Sequence, residues 1–139
     1  MNNTTPKTKP IWILPAVFMI LLIGIIAIAN VGLGSTVFAF LEYIPGGDKT
    51  GHFILIGMLS FLVNLSMGAK TTPWKSITVL KGSLIVFIVV FAEECSQIFL
   101  KYRGFDLIDL LADTAGICVF GSLAKVLVHH NLSNAKNSE

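Results

Sequence analysis

The chain has 139 residues, of which 54% are hydrophobic and only 13% charged, and its mean hydropathy is +0.79. A soluble domain carries about a quarter charged residues, so this composition excludes an ordinary soluble globule and places the chain in a membrane. Its length leaves no room for a second independent core, and a net charge of +2 with no basic-aromatic patch argues against nucleic-acid binding.

In chain order, residues 1–10 read as a polar, disordered tail, and residues 11–29 are almost wholly apolar, long enough to cross the hydrocarbon core. Lys7 and Lys9 ahead of this run, and Ala27-Ile28-Ala29 near its end, also resemble a signal peptide. The run exceeds the usual signal length and further spans follow, so a retained first helix is expected. Gly32, Gly34 and Ser35 break it. Residues 36–44 are apolar but too short to span and predict an interfacial helix, with Tyr43 at headgroup level. Pro45-Gly46-Gly47 reads as a turn. Asp48 then heads a second span near 51–67, where an acid suits the positive end of a helix. A short polar loop from Gly68 to Lys75 leads to a third span near 77–99, and a fourth covers 107–128. Residues 129–139, with His129 and His130, read as a second disordered tail. Trp12 and Trp74 are expected as interface anchors. Cys95 and Cys118 lack metal or redox spacing and are expected as small core residues.

The fold class expected is therefore all-α, an integral membrane four-helix bundle forming one domain over 11–128, with short connections that favour antiparallel neighbours. With four spans, Lys7, Lys9, Lys70, Lys75, Lys81, Lys125 and Lys136 share one side, against Lys49, Lys101 and Arg103 on the other. The lysine-rich side should be cytoplasmic, which predicts a bacterial inner-membrane protein with both termini inside.

This topology gathers the unusual polar residues. Asp48, Lys49 and His52 head the second span, while Glu94 and Gln97 end the third. Arg103 lies in the following turn, and Asp109 and Asp113 open the fourth. All fall at the outward end, within the segment from Phe91 to Gly116 or opposite it. Asp48 and His52 share a helix face, as do Glu94 and Gln97. Asp106, Asp109, Asp113 and Gly116 form one stripe, with Ala112 and Gly116 a small-residue pair that would admit a neighbouring helix. Intramembrane acids should face the bundle interior or a water-filled pocket, because lipid exposure costs about 2.5–3.5 kcal/mol at the bilayer centre.

These residues resemble the VanZ-like family of small bacterial membrane proteins. Asp48, Lys49 and His52 match its Asp-Lys-x-x-His motif, Glu94 and Gln97 its Glu-x-x-Gln, and Arg103, Asp109, Asp113 and Gly116 its closing motif. Asp113 departs from the pattern, because an Asn is usual there. The resemblance covers about residues 48–121. It implies a fold and a polar site, and a link to teicoplanin resistance, with no established reaction.

Three readings of the site follow. In the first, an outward-facing pocket formed by Asp48, Lys49, Gln97, Arg103, Asp109 and Asp113 binds an anionic lipid-linked or cell-wall-related molecule. In the second, His52 and Glu94 form an acid/base pair of a membrane-embedded hydrolase or transferase acting on a lipid-linked phosphate, since His suits proton transfer near neutral pH and Arg suits phosphate. In the third, the cluster is structural: Arg103 pairs with Asp106 or Asp109, and Lys49 with Glu93 or Glu94. Asp106 and Lys101, in the turn itself, belong most readily to this last reading. Acids with a His also suit a divalent cation, but no ligand spacing specifies one. Membrane lipids are expected partners, and an oligomer is open.

Overall fold

The computed structural model describes residues 11–137. The tail of residues 1–10 lies outside them. Four helices are long and apolar enough to cross a membrane: α1 (Ile13–Asn30), α3 (Asp48–Ser66), α4 (Lys81–Ser96), extended by a 3₁₀ turn at Gln97–Phe99, and α5 (Leu107–Asn137). Between α1 and α3 lie a single helical turn, α2 (Gly34–Val37), and a 3₁₀ segment (Ala39–Tyr43), where one interfacial helix was expected. Tyr43 is almost fully exposed there.

Glycine ends two of the spans by the same device. After α1, Gly32 takes φ 82°, its N–H reaches the carbonyl of Ala29 and that of Leu33 reaches Ile28. After α3, Gly68 takes φ 62°, with its N–H on Leu65 and that of Ala69 on Asn64. Both are left-handed C-terminal caps that satisfy carbonyls otherwise stranded in an apolar medium. Pro15 sits in the first turn of α1, where no helical hydrogen bond is lost.

Two expectations are corrected. The segment 68–80 is not a loop followed by helix: β1 (Thr71–Trp74) pairs antiparallel with β2 (Ile77–Leu80) in a hairpin, and α4 begins only at Lys81. The β-branched run Ile77-Thr78-Val79 favours a strand, and Pro73 is tolerated because a two-stranded hairpin has free edges. At the C-terminus, residues 129–137 continue α5 as helix instead of forming a disordered tail. The hydropathy drop after Val128 marks where the bilayer ends, and no Gly or Pro follows to stop the helix. At 31 residues, α5 is about 46 Å long and outruns a hydrocarbon core of about 30 Å.

α3 is the hub, with α5, α4 and α1 packed around it. Its most extensive contact is with α5, which runs parallel to it, rather than with an antiparallel sequence neighbour. Buried on α5 are Asp109, Leu110, Asp113, Gly116, Ile117, Gly121 and Ala124, one stripe of helical period. A Cβ on Gly116 would collide with the backbone carbonyl of Phe53, and one on Gly57 would meet the Phe120 ring at 2.5 Å. Phe120 in turn meets Phe53 edge-on at 5.8 Å. Leu59, Val63, Val86, Val90 and Ile117, with Leu22 of α1, form the apolar core. Deeper along the seam, Asn64 donates to the Ser60 carbonyl at 2.8 Å and to the Ser83 hydroxyl at 2.9 Å, with Gly82 against its side chain. Cys95 is half-buried, but Cys118, expected in the core, is exposed, because Gly116 and Ile117 take the inward face of that turn.

Gly116→Ala should therefore lower the unfolding free energy in detergent by about 1–3 kcal/mol, the usual cost of overpacking. Gly24→Ala, at a position where an added Cβ meets nothing within 4 Å, should be neutral or slightly stabilising. Equal effects at the two sites would deny the close contact.

Candidate functional site

The N-termini of α3 and α5 and the end of α4 meet at one end of the bundle. Two parallel helices thus present their positive ends there, which favours acids in their first turns. Gly46 and Gly47, at φ 85° and 54°, turn the chain into α3, and the Thr50 hydroxyl donates to the Pro45 carbonyl at 2.7 Å. Asp106 caps α5 by accepting the Ile108 N–H at 2.8 Å.

Lys49 reaches from the first turn of α3 across to α5. Its Nζ lies 2.7 Å from Asp109 Oδ1, 3.0 Å from Asp106 Oδ2 and 3.4 Å from Asp48 Oδ2. One turn deeper, His52 Nδ1 is 3.1 Å from Asp113 Oδ1, and its Nε2 is 3.9 Å from Asp109 Oδ2. From α4, Glu94 accepts the Asp106 backbone N–H at 2.8 Å and the Gln97 amide at 3.1 Å, and the same amide donates to Glu93 at 2.9 Å. Glu94, Gln97 and Asp113 are at most 1% exposed, and Asp109 6%. One connected network therefore joins all three helices. The hydrogen bond from Lys49, followed by that from the Ile108 N–H, holds the Asp106 carboxyl below its usual range.

Every candidate site residue falls at this end, but the pairings differ from the simplest ones. Lys49 pairs with Asp48, Asp106 and Asp109 rather than with Glu93 or Glu94. His52 faces Asp113 and Asp109, and Glu94 hydrogen-bonds Asp106 and Gln97, so the two are not in direct contact. Arg103 is half-buried in the turn before α5 and, among the described residues, has no hydrogen bond or ion pair. Lys101 lies over the Tyr102 ring, 5.3 Å from its centroid, and that ring packs against Gly32 at the end of α1. Asp48 is largely exposed, at the rim.

Asp106 is more central than its place in the turn suggested. It caps α5, accepts from Lys49 and gives its own N–H to Glu94, so it links the three helices. Its position two residues ahead of the first helical amide it binds is the sequence signal for a cap. Glu93 was expected only as a partner for Lys49, not as the second acceptor for Gln97 that it is, and the buried Ser60 and Asn64 with the half-buried Ser83 were not singled out. An Asn inside an apolar span was the available clue.

Among the described residues, no group of three or more His, Cys, Asp or Glu converges to hold a metal ion. The Lys49 ammonium occupies the place between Asp106 and Asp109 that a cation would take. Asp113 fits the site as an acceptor, a role that an Asn carbonyl also fills.

A multi-pass α-helical membrane protein with a buried polar network at one membrane end is the class that fold and site define. The chain belongs to the VanZ/LLP1 family, whose family model matches residues 9–128. No curated protein and no solved structure matches it.

Asp113→Asn should keep the contact with His52 and melt close to the wild type, whereas Asp113→Leu, which strands the imidazole, should cost about 1–3 kcal/mol. Equal loss in both variants, read by thermal unfolding in detergent, would show that His52 requires the charge rather than the acceptor.

Proposed function

We propose that this VanZ-like cell-envelope protein binds the anionic head of a lipid-linked or cell-wall-related molecule at its polar end, and that this end faces outward from the bacterial inner membrane with both termini in the cytoplasm. Arg103 carries the reading. Lys49 is already engaged by three carboxylates and Lys101 lies over an aromatic ring, whereas the half-buried Arg103 makes no hydrogen bond or ion pair among the described residues. A planar fork of donors suits a phosphate. At the same end of the bundle, Tyr43, Phe99, Tyr102 and Phe105 are exposed, as aromatic side chains at headgroup depth are. The orientation is supported by the lysines of the opposite end. A connection to glycopeptide resistance rests on the family alone.

A second reading is favoured by the buried Asp113 carboxylate behind the partly exposed His52 imidazole. A carboxylate that orients an imidazole is the arrangement used for general acid/base catalysis, and His52 would then act on a lipid-linked phosphate, with Glu94 holding the turn before α5.

A fluorescent short-chain polyprenyl phosphate, titrated against the protein in nanodiscs, tests the first reading. Arg103→Ala should weaken binding about tenfold or more, the worth of a charge-assisted hydrogen bond, and Arg103→Lys should recover part of it. Unchanged affinity in Arg103→Ala overturns the reading, and turnover that is lost in His52→Ala supports the second. For orientation, Gly104→Cys in a background with Cys95 and Cys118 replaced by Ser should label from outside intact cells. Labelling only after the inner membrane is permeabilised would reverse it.

A further inference from the structure

The charges divide by membrane end. Lys70, Lys75, Lys81 and Lys125 are exposed and make no ion pair among the described residues, and every acid whose side chain is described lies at the opposite end or in the turn before α5. At the lysine end, a cavity of about 760 Å³ opens where α1 begins and α3 ends, lined among others by Trp12, Leu14, Leu62, Leu65, Lys70 and Asn131. The entry of α1 is tied down beside it, with the Ser66 hydroxyl donating to the Ile11 carbonyl at 3.0 Å.

We infer that this cavity seats an anionic phospholipid of the surrounding leaflet, with its phosphodiester at Lys70 and Asn131 and an acyl chain along Leu14, Leu62 and Leu65. The walls are apolar and the mouth carries a cation and an amide, the division of a lipid into tail and head. Its depth suits a lipid too. Trp12 and Trp74, both about half exposed, mark this end as the interface, and the lining runs on into the exposed apolar surface of Ile11, Trp12 and Leu14. Charge argues against the other occupants. A second copy would bring like lysines together, and residues 1–10 contain Lys7 and Lys9 but no acid. A phosphodiester supplies an anion that none of the described side chains brings to this end. This site is separate from the polar end and does not depend on Arg103.

Native mass spectrometry of the full chain in a nonionic detergent tests it, using phosphatidylglycerol and phosphatidylcholine with identical acyl chains. Phosphatidylglycerol should be retained preferentially, and Lys70→Gln should reduce its retention about fivefold, the worth of one lysine near an anionic headgroup. Lys101→Gln, at the opposite end, should leave the preference intact. Leu65→Trp, which fills the cavity, should reduce retention of both lipids. Equal retention of the two lipids by the wild type, a preference that survives Lys70→Gln, or full retention by Leu65→Trp would each overturn the proposal.

Discussion

The contact between α3 and α5 at Gly116 is the constraint from which the rest of the structure follows. In a bilayer the lipid tails are as apolar as the helix surfaces, so hydrophobic burial drives helix association weakly and close van der Waals contact with interhelical polar pairs must hold the bundle. Gly116 lets the α5 backbone lie against the Phe53 carbonyl. Gly57 and Phe120 continue the contact below it, and the Ser60–Asn64–Ser83 hydrogen bonds bring in α4. A side chain at Gly116 would push the two helices apart along the whole seam.

Because α3 and α5 run parallel, that contact also sets the site. It brings Lys49 level with Asp109 and His52 level with Asp113, one turn apart on both helices. Each pairing answers a cost. A lone acid or base at this depth would be expensive, so the acids on α5 are met by the two basic residues on α3, and Glu94 by the N–H at the start of α5. Lys49 therefore acts as an internal cation that lets Asp106 and Asp109 sit together. Arg103 has no such partner among the described residues, and the proposed ligand contact rests on this difference between the two cations.

Much of this could be read in the chain. The four spans, the gathering of polar residues at one end and the Asp106–Asp109–Asp113–Gly116 stripe follow from hydropathy, topology and helical period, and these hold in the structure. What hydropathy could not locate were helix ends outside the bilayer, since the polar residues after Val128 continue α5 for lack of a breaker. Nor did it separate strand from span at Ile77–Leu80, where a short β-branched apolar run serves either. Pairing inside the network was illegible for a different reason. Several acids share one membrane end, and which of them meets Lys49 depends on the parallel register of α3 against α5, fixed by Gly57 and Gly116 further down.

That register is open to direct measurement through a double-mutant cycle on Lys49→Met and Asp109→Leu, with unfolding free energies taken in mixed detergent micelles. The pair is partly exposed on the lysine side, which moderates its strength, yet the account predicts a coupling energy above about 0.5 kcal/mol, the threshold that separates interacting residues from independent ones. Losses that simply add within that margin would contradict the pairing of α3 with α5 on which both the fold and the site rest.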